Sequence, residues 1–189
     1  VTLNSTLGTY TFPAVDMFTN YKVMLSTSSL TVGSIAPASG TMSAGWVKTG
    51  DYYGLNNLMG ASVEPGTPDG SVPVNTGSIN INAVNFGVQR LPNSDNKSVN
   101  HGPNTPGLRY NVPGLTGSDP EDGILGAGKT YKITSQPANA VLFYNNMIVS
   151  LNQVIPSFNA ALLKVDPADG ILTTSFTYAS MDAAGMFDP

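Results

Sequence analysis

AVLFYNNMIVSL, residues 140–151, places two arms rich in β-branched and aromatic residues on either side of the pair Asn145-Asn146. Asparagine tolerates positive φ, so the pair suits a tight turn and the arms suit a β-hairpin. The same period of two recurs elsewhere. Val1, Leu3 and then Leu7 mark it in VTLNSTL, Tyr21, Val23 and Leu25 in NYKVMLS, and Met42, Ala44 and Trp46 in TMSAGWV. Each run stops at Gly, Pro or Asn. This is the signature of strands and not of helices.

The segment SININAVNFGV, residues 78–88, carries Ile79, Ile81 and Ala83 on one parity and Val84, Phe86 and Val88 on the other. A one-residue shift exchanges the faces of a strand, so a β-bulge or a change of sheet is expected near Ala83. The heptad Asp-Pro-x-Asp-Gly-Ile-Leu occurs at 119–125 and again at 166–172. Asp166, Pro167 and Gly170 suit a hairpin loop in ALLKVDPADGILTTSF, with its arms pairing in register. Helix is expected only as short turns at GLNNLMG, residues 54–60, and in the tail SMDAAGMFDP, residues 180–189.

Residues 89–118 have almost no periodicity and are dense in Pro, Asn and Gly, which reads as a long surface loop. It holds His101, Arg90 and Arg109, the only His and the only two Arg of the chain, together with Lys97. These four residues are the candidates for an interaction loop. The expected architecture is all-β: one antiparallel β-sandwich over 1–189, jelly-roll or immunoglobulin-like, with about seven to nine strands.

Composition narrows the function. The 189 residues are 41% hydrophobic and only 11% charged, with 20 Gly, 14 Pro and no Cys. Solvation therefore falls to hydroxyls and amides, a composition similar to that of filament subunits and virus coat or decoration proteins. A net charge of −4 argues against a nucleic-acid partner, which needs a basic stripe to release counterions. No window offers the roughly 18 consecutive apolar residues that would span a bilayer, so membrane insertion is not expected. Without Cys there are neither disulfides nor thiolate metal sites. A start at Val1 fits removal of a signal segment, the favoured reading, removal of an initiator Met, or a sequence that is not the whole chain.

Motifs that carry chemistry are sparse. GILGAGKT, residues 123–130, matches the letter of a phosphate-binding loop. TYKITSQP follows it, which reads as strand where that loop needs a helix, so no nucleotide cofactor is expected. A Ser-His-acid triad would have to use His101, and no Gly-x-Ser-x-Gly elbow exists. The chain is read as a non-enzyme. Asp119 and Asp122 in one loop, with Asp166 and Asp169 in the other, are weak Ca²⁺ candidates, because each loop offers few of the six to eight oxygens that ion takes. Turn chemistry already accounts for them. Asn4 and Asn96 lie in glycosylation acceptor patterns.

The leading expectation is a self-assembling subunit of an extracellular filament or virion shell, whose partners are copies of itself. Val1, Leu3 and Leu7 of an N-terminal strand running to Phe12 are the candidate assembly residues, added to a neighbour's sheet. The alternative is a carbohydrate-binding or adhesive module for host-surface glycans. In that alternative Trp46 and Tyr52-Tyr53 are a candidate stacking platform, although strand parity favours a core role for Trp46. A secreted hydrolase is a distant third.

Overall fold

The computed structural model describes residues 1–53, 62–63, 67–78, 80–101 and 104–189. GLNNLMG and Ile79, singled out above, lie outside the described residues. The chain is all-β, with every sheet antiparallel where register is defined, and its strands are shorter and more numerous than seven to nine. They fall into two compact units, Val1–Gln89 and Arg90–Pro189.

The first unit starts with a hairpin of β1 (Thr2–Asn4) and β2 (Thr9–Thr11), in which Leu3 faces Tyr10. The single N-terminal strand expected from VTLNSTL is therefore broken. The Asn4 carboxamide oxygen accepts from the backbone N–H of Thr6 and Leu7, both at 3.1 Å, and Gly8 takes φ 63°, so this short segment turns back on itself. β3 (Asn20–Met24) pairs with β6 (Ser71–Asn75), while β5 (Ser62–Val63), β4 (Trp46–Tyr53) and β7 (Val84–Arg90) form a second sheet in that order. Strand β4 begins only at Trp46, because Gly45 at φ 78° closes a turn just before it.

The interior of this unit is polar to an unusual degree. Among the described residues only Val72 and Val74 are buried large apolar side chains there. They alternate along β6 with exposed Pro73, the period-two pattern of a half-buried strand. Around them lies a hydrogen-bonded knot. Buried Asp51 accepts from the backbone N–H of Asp69 at 2.7 Å and of Gly70 at 2.9 Å. The Lys48 ammonium donates to Asp69 O at 2.7 Å and Gly40 O at 2.9 Å. A Cβ on Gly40 would stand 2.5 Å from Gly70 O, so only glycine allows the two backbones to meet.

The second unit has an apolar core. Its strands are β8 (Asn93–Ser94), β9 (Tyr110–Asn111), β10 (Gly117–Asp119), β11 (Gly123–Leu125), β12 (Tyr131–Ile133), β13 (Ala140–Tyr144), β14 (Met147–Ile148), β15 (Val154–Ile155), β16 (Leu163–Pro167) and β17 (Tyr178–Ser180). The sheets run β11-β10-β8, β15-β12-β17 and β14-β13-β16-β9. Tyr131, Ile133 and Ile155 from one sheet pack with Leu142 and Leu163 from another, and Leu115, Val149 and Phe158 complete the cluster. Two sheets face each other across apolar side chains, as in a sandwich. Each fully buried Leu, Ile or Phe contributes about 1.5–3 kcal/mol.

The turns follow their residues. Asn145 and Asn146 both have positive φ, 50° and 64°, and join β13 to β14 in the type I′ geometry their sequence suggests. The two Asp-Pro-x-Asp-Gly loops differ. At 119–123 the loop closes a hairpin, with Asp119 paired to Gly123 at φ 75°. At 166–170 Gly170 takes φ 77°, but no hairpin forms. Both edges of β16 are already occupied, by β13 and by β9, so the arm after Gly170 has nothing to pair with. Neither does 89–118 run free, since β8, β9 and the first residues of β10 tie it to sheets. The tail forms β17 and an isolated bridge from Met181 to Phe187, without helix, and one 3₁₀ turn lies at Ala160–Leu162.

Candidate functional site

The candidate assembly residues lie on the N-terminal hairpin and point to solvent. Val1, Leu3 and Leu7 are 71%, 73% and 71% exposed. The hairpin itself is anchored, because the Tyr10 hydroxyl donates to Val84 O at 2.6 Å and its ring lies 6.5 Å from that of Phe86. Burial raises the Tyr10 phenol above its ordinary pKa. The outer edge of β1 carries no further strand among the described residues.

Exposed apolar side chains continue along the same unit, at Phe12, Val15, Met17, Phe18, Leu30, Val32 and Ile35. Phe18 has φ 54°, an uncommon conformation for a bulky residue. Buried Thr76 holds this bend in place: its hydroxyl lies 2.6 Å from Asp16 O and accepts from the Thr19 N–H at 3.0 Å. The aromatic ring is thus held outward by a backbone that is itself fixed. Sequence alternation gave no sign of this segment, because residues 12–19 and 26–45 form no strand.

Beside the hairpin the first unit holds an open groove of about 720 Å³, bounded by residues 8–17, by β3 and by the stretch 80–85. Ala83, at the phase slip of SININAVNFGV, lines it with φ 61°. The sequence therefore located an irregular backbone point without revealing the cleft beside it. Trp46, Tyr52 and Tyr53 are partly buried on β4 and do not line the groove.

The interaction-loop candidates are largely engaged by the protein itself. The Arg109 guanidinium lies 3.6 Å from the centroid of the Phe143 ring, a cation–π contact. Lys97 is 3.6 Å from the Asp95 carboxylate, and Arg90 has a partner as well. His101 donates through Nε2 to Asn111 O at 2.9 Å and sits 4.8 Å from the Tyr110 ring. These contacts fix the loop against β9 and β13.

The acidic candidates are turn residues. Asp119 is buried, and one of its carboxylate oxygens accepts from the N–H groups of Glu121 and Asp122, both at 2.8 Å. Asp122 in turn accepts from Ala183 N–H at 2.7 Å, while Asp166 lies on β16 and Asp169 in the following turn. Among the described residues no group of three or more His, Cys, Asp or Glu side chains is placed to hold a metal ion. GILGAGKT runs from β11 through a turn at Gly128 into β12, so no helix N-terminus faces its glycines. No helix among the described residues is long and apolar enough to cross a membrane. In comparisons with protein-family models, curated proteins and solved structures, nothing matches this chain.

Proposed function

We propose that this chain is a self-assembling structural subunit of an extracellular filament or virion shell, joined to its neighbours through the N-terminal part of the first unit. One observation carries the reading. The first 35 residues display ten large apolar side chains to solvent, while the unit they belong to buries only Val72 and Val74 among its described large apolar residues. Large apolar side chains exposed in such number within one segment mark an interaction site or an aggregation hazard. A unit with so small an apolar interior gains most from cover supplied by another chain.

The hairpin supports the mode of contact. A short ribbon with a free outer edge offers backbone groups for strand addition, and Leu3 and Leu7 offer side chains for a neighbour's pockets. The sparsely charged, amide-rich and hydroxyl-rich composition suits a surface packed against copies of itself, since few charges would need desolvation. Negative-stain electron microscopy of the purified protein tests the reading. Regular filaments or shells are expected, and a dispersed monomer at high concentration would overturn it.

A further inference from the structure

We propose that the groove of the first unit binds a neutral oligosaccharide. Its volume of about 720 Å³ falls within the range of small-ligand sites. Two of its aromatic rings are fixed before any ligand arrives. Tyr10 donates to Val84 O, and the Tyr21 hydroxyl accepts from the Asp16 N–H at 2.9 Å. Phe12, 47% exposed and edge-on to Tyr10 at 5.9 Å, presents further aromatic surface to the same space. Such faces suit the C–H face of a pyranose.

The stretch 80–85 supplies hydrogen bonding. Asn80, Asn82 and Asn85 are exposed there, and no hydrogen bond from another described residue occupies their side-chain amides. A carboxamide combines a donor and an acceptor in one plane, which matches adjacent hydroxyls of a sugar. Charge argues against an anionic ligand. The groove has one carboxylate, Asp16, and one ammonium, Lys22, which already donates to Ala38 O at 3.3 Å. An apolar segment of a neighbouring copy fits the groove less well, because it would bury the three amides without partners, so contacts between copies fall to the exposed Leu3, Leu7 and Phe18 outside it. Ala83 adds an independent sign. A non-glycine residue in the left-handed region within a cleft is the kind of backbone strain that collects at ligand sites.

Calorimetric titration of the 189-residue chain with cellohexaose, xylohexaose and chitohexaose, and with a heparin hexasaccharide as the anionic contrast, tests this directly. At least one neutral sugar is expected to bind with submillimolar affinity and more tightly than heparin. Phe12→Ala and Asn82→Ala should each weaken binding about ten-fold, the loss of about 1.4 kcal/mol, with the melting temperature unchanged for Asn82→Ala and only slightly lowered for Phe12→Ala, which gives up its ring contact with Tyr10. Absence of binding to all three neutral sugars, tighter binding of heparin, or affinity indifferent to both substitutions would overturn the proposal.

Discussion

Leu3 stands directly opposite Tyr10 in the N-terminal hairpin, and the two partners have opposite surroundings. Tyr10 is tied to Val84 O at 2.6 Å, whereas Leu3 is 73% exposed. Residues directly across a ladder share a face of the ribbon. One side chain of the pair thus fastens the hairpin to its own unit, and the other is left for something else.

Tyr131 links stability of the second unit to alkaline pH. Its hydroxyl lies 2.8 Å from Leu125 O and 3.0 Å from Leu115 O, within the apolar core. Burial, reinforced by Tyr178 and Asp95, pushes its pKa from 10.0 up to about 12. The folded state therefore holds this proton more tightly than the unfolded chain does. The resulting stabilisation is complete below pH 10 and disappears as pH rises through about 12. Denaturant titrations across that window should show falling stability. Tyr131→Phe should cost about 1–3 kcal/mol at neutral pH, by leaving the carbonyls without a donor, and should flatten the alkaline fall.

The Asn145-Asn146 turn makes a local prediction. Asn146 has φ 64°, so Asn146→Val places a β-branched residue where it is strained, at a cost of about 1–3 kcal/mol. Asn146→Gly should be neutral or slightly stabilising. Chemical denaturation of both variants checks the pair, and equal stabilities would contradict the turn geometry.

Gly40 tests the polar knot. Gly40→Ala would drive a methyl group to 2.5 Å from Gly70 O, and backbone on both sides leaves little room to yield. A loss of at least about 2 kcal/mol is expected, of the size seen for overpacked interiors. Lys48→Met should cost about 1–3 kcal/mol for a different reason, because Gly40 O and Asp69 O lose their shared donor. Hydrogen exchange at residues 40 and 69–71 reads both effects.

His101→Ala should change stability by no more than about 1 kcal/mol, since it removes one hydrogen bond and one ring contact at an exposed site. Thermal melting measures it. Removing the surrounding loop is a different matter. Ser94 donates through its backbone N–H to Asp188 and accepts from the Ser180 N–H, so deletion from Asn93 onward would disturb the second unit itself.

Where residue chemistry acts locally, the structure was legible in the sequence. The Asn145-Asn146 turn, the irregular backbone at Ala83, the pairing strand in NYKVMLS and the strand that follows GILGAGKT could each be read from a few neighbouring residues. Long-range competition was not legible. ALLKVDPADGILTTSF has the residues of a hairpin, yet β16 spends both its edges on distant strands. Two-residue strands such as β8 and β9 are too short to show a period, so the loop over 89–118 looked free. The groove depends on residues 8–17 meeting residues 80–85, and only the phase slip at Ala83 hinted at it.

The mass of the assembled protein tests the central claim most directly. Leu3→Ser with Leu7→Ser leaves the Asn4 turn and the Tyr10 anchor in place and changes only side chains already in solvent. Light scattering should find large assemblies for the native chain and a folded, much smaller species for the double variant, with an unchanged melting temperature. If the double variant assembles to the same mass as the native chain, the N-terminal hairpin does not join the subunits.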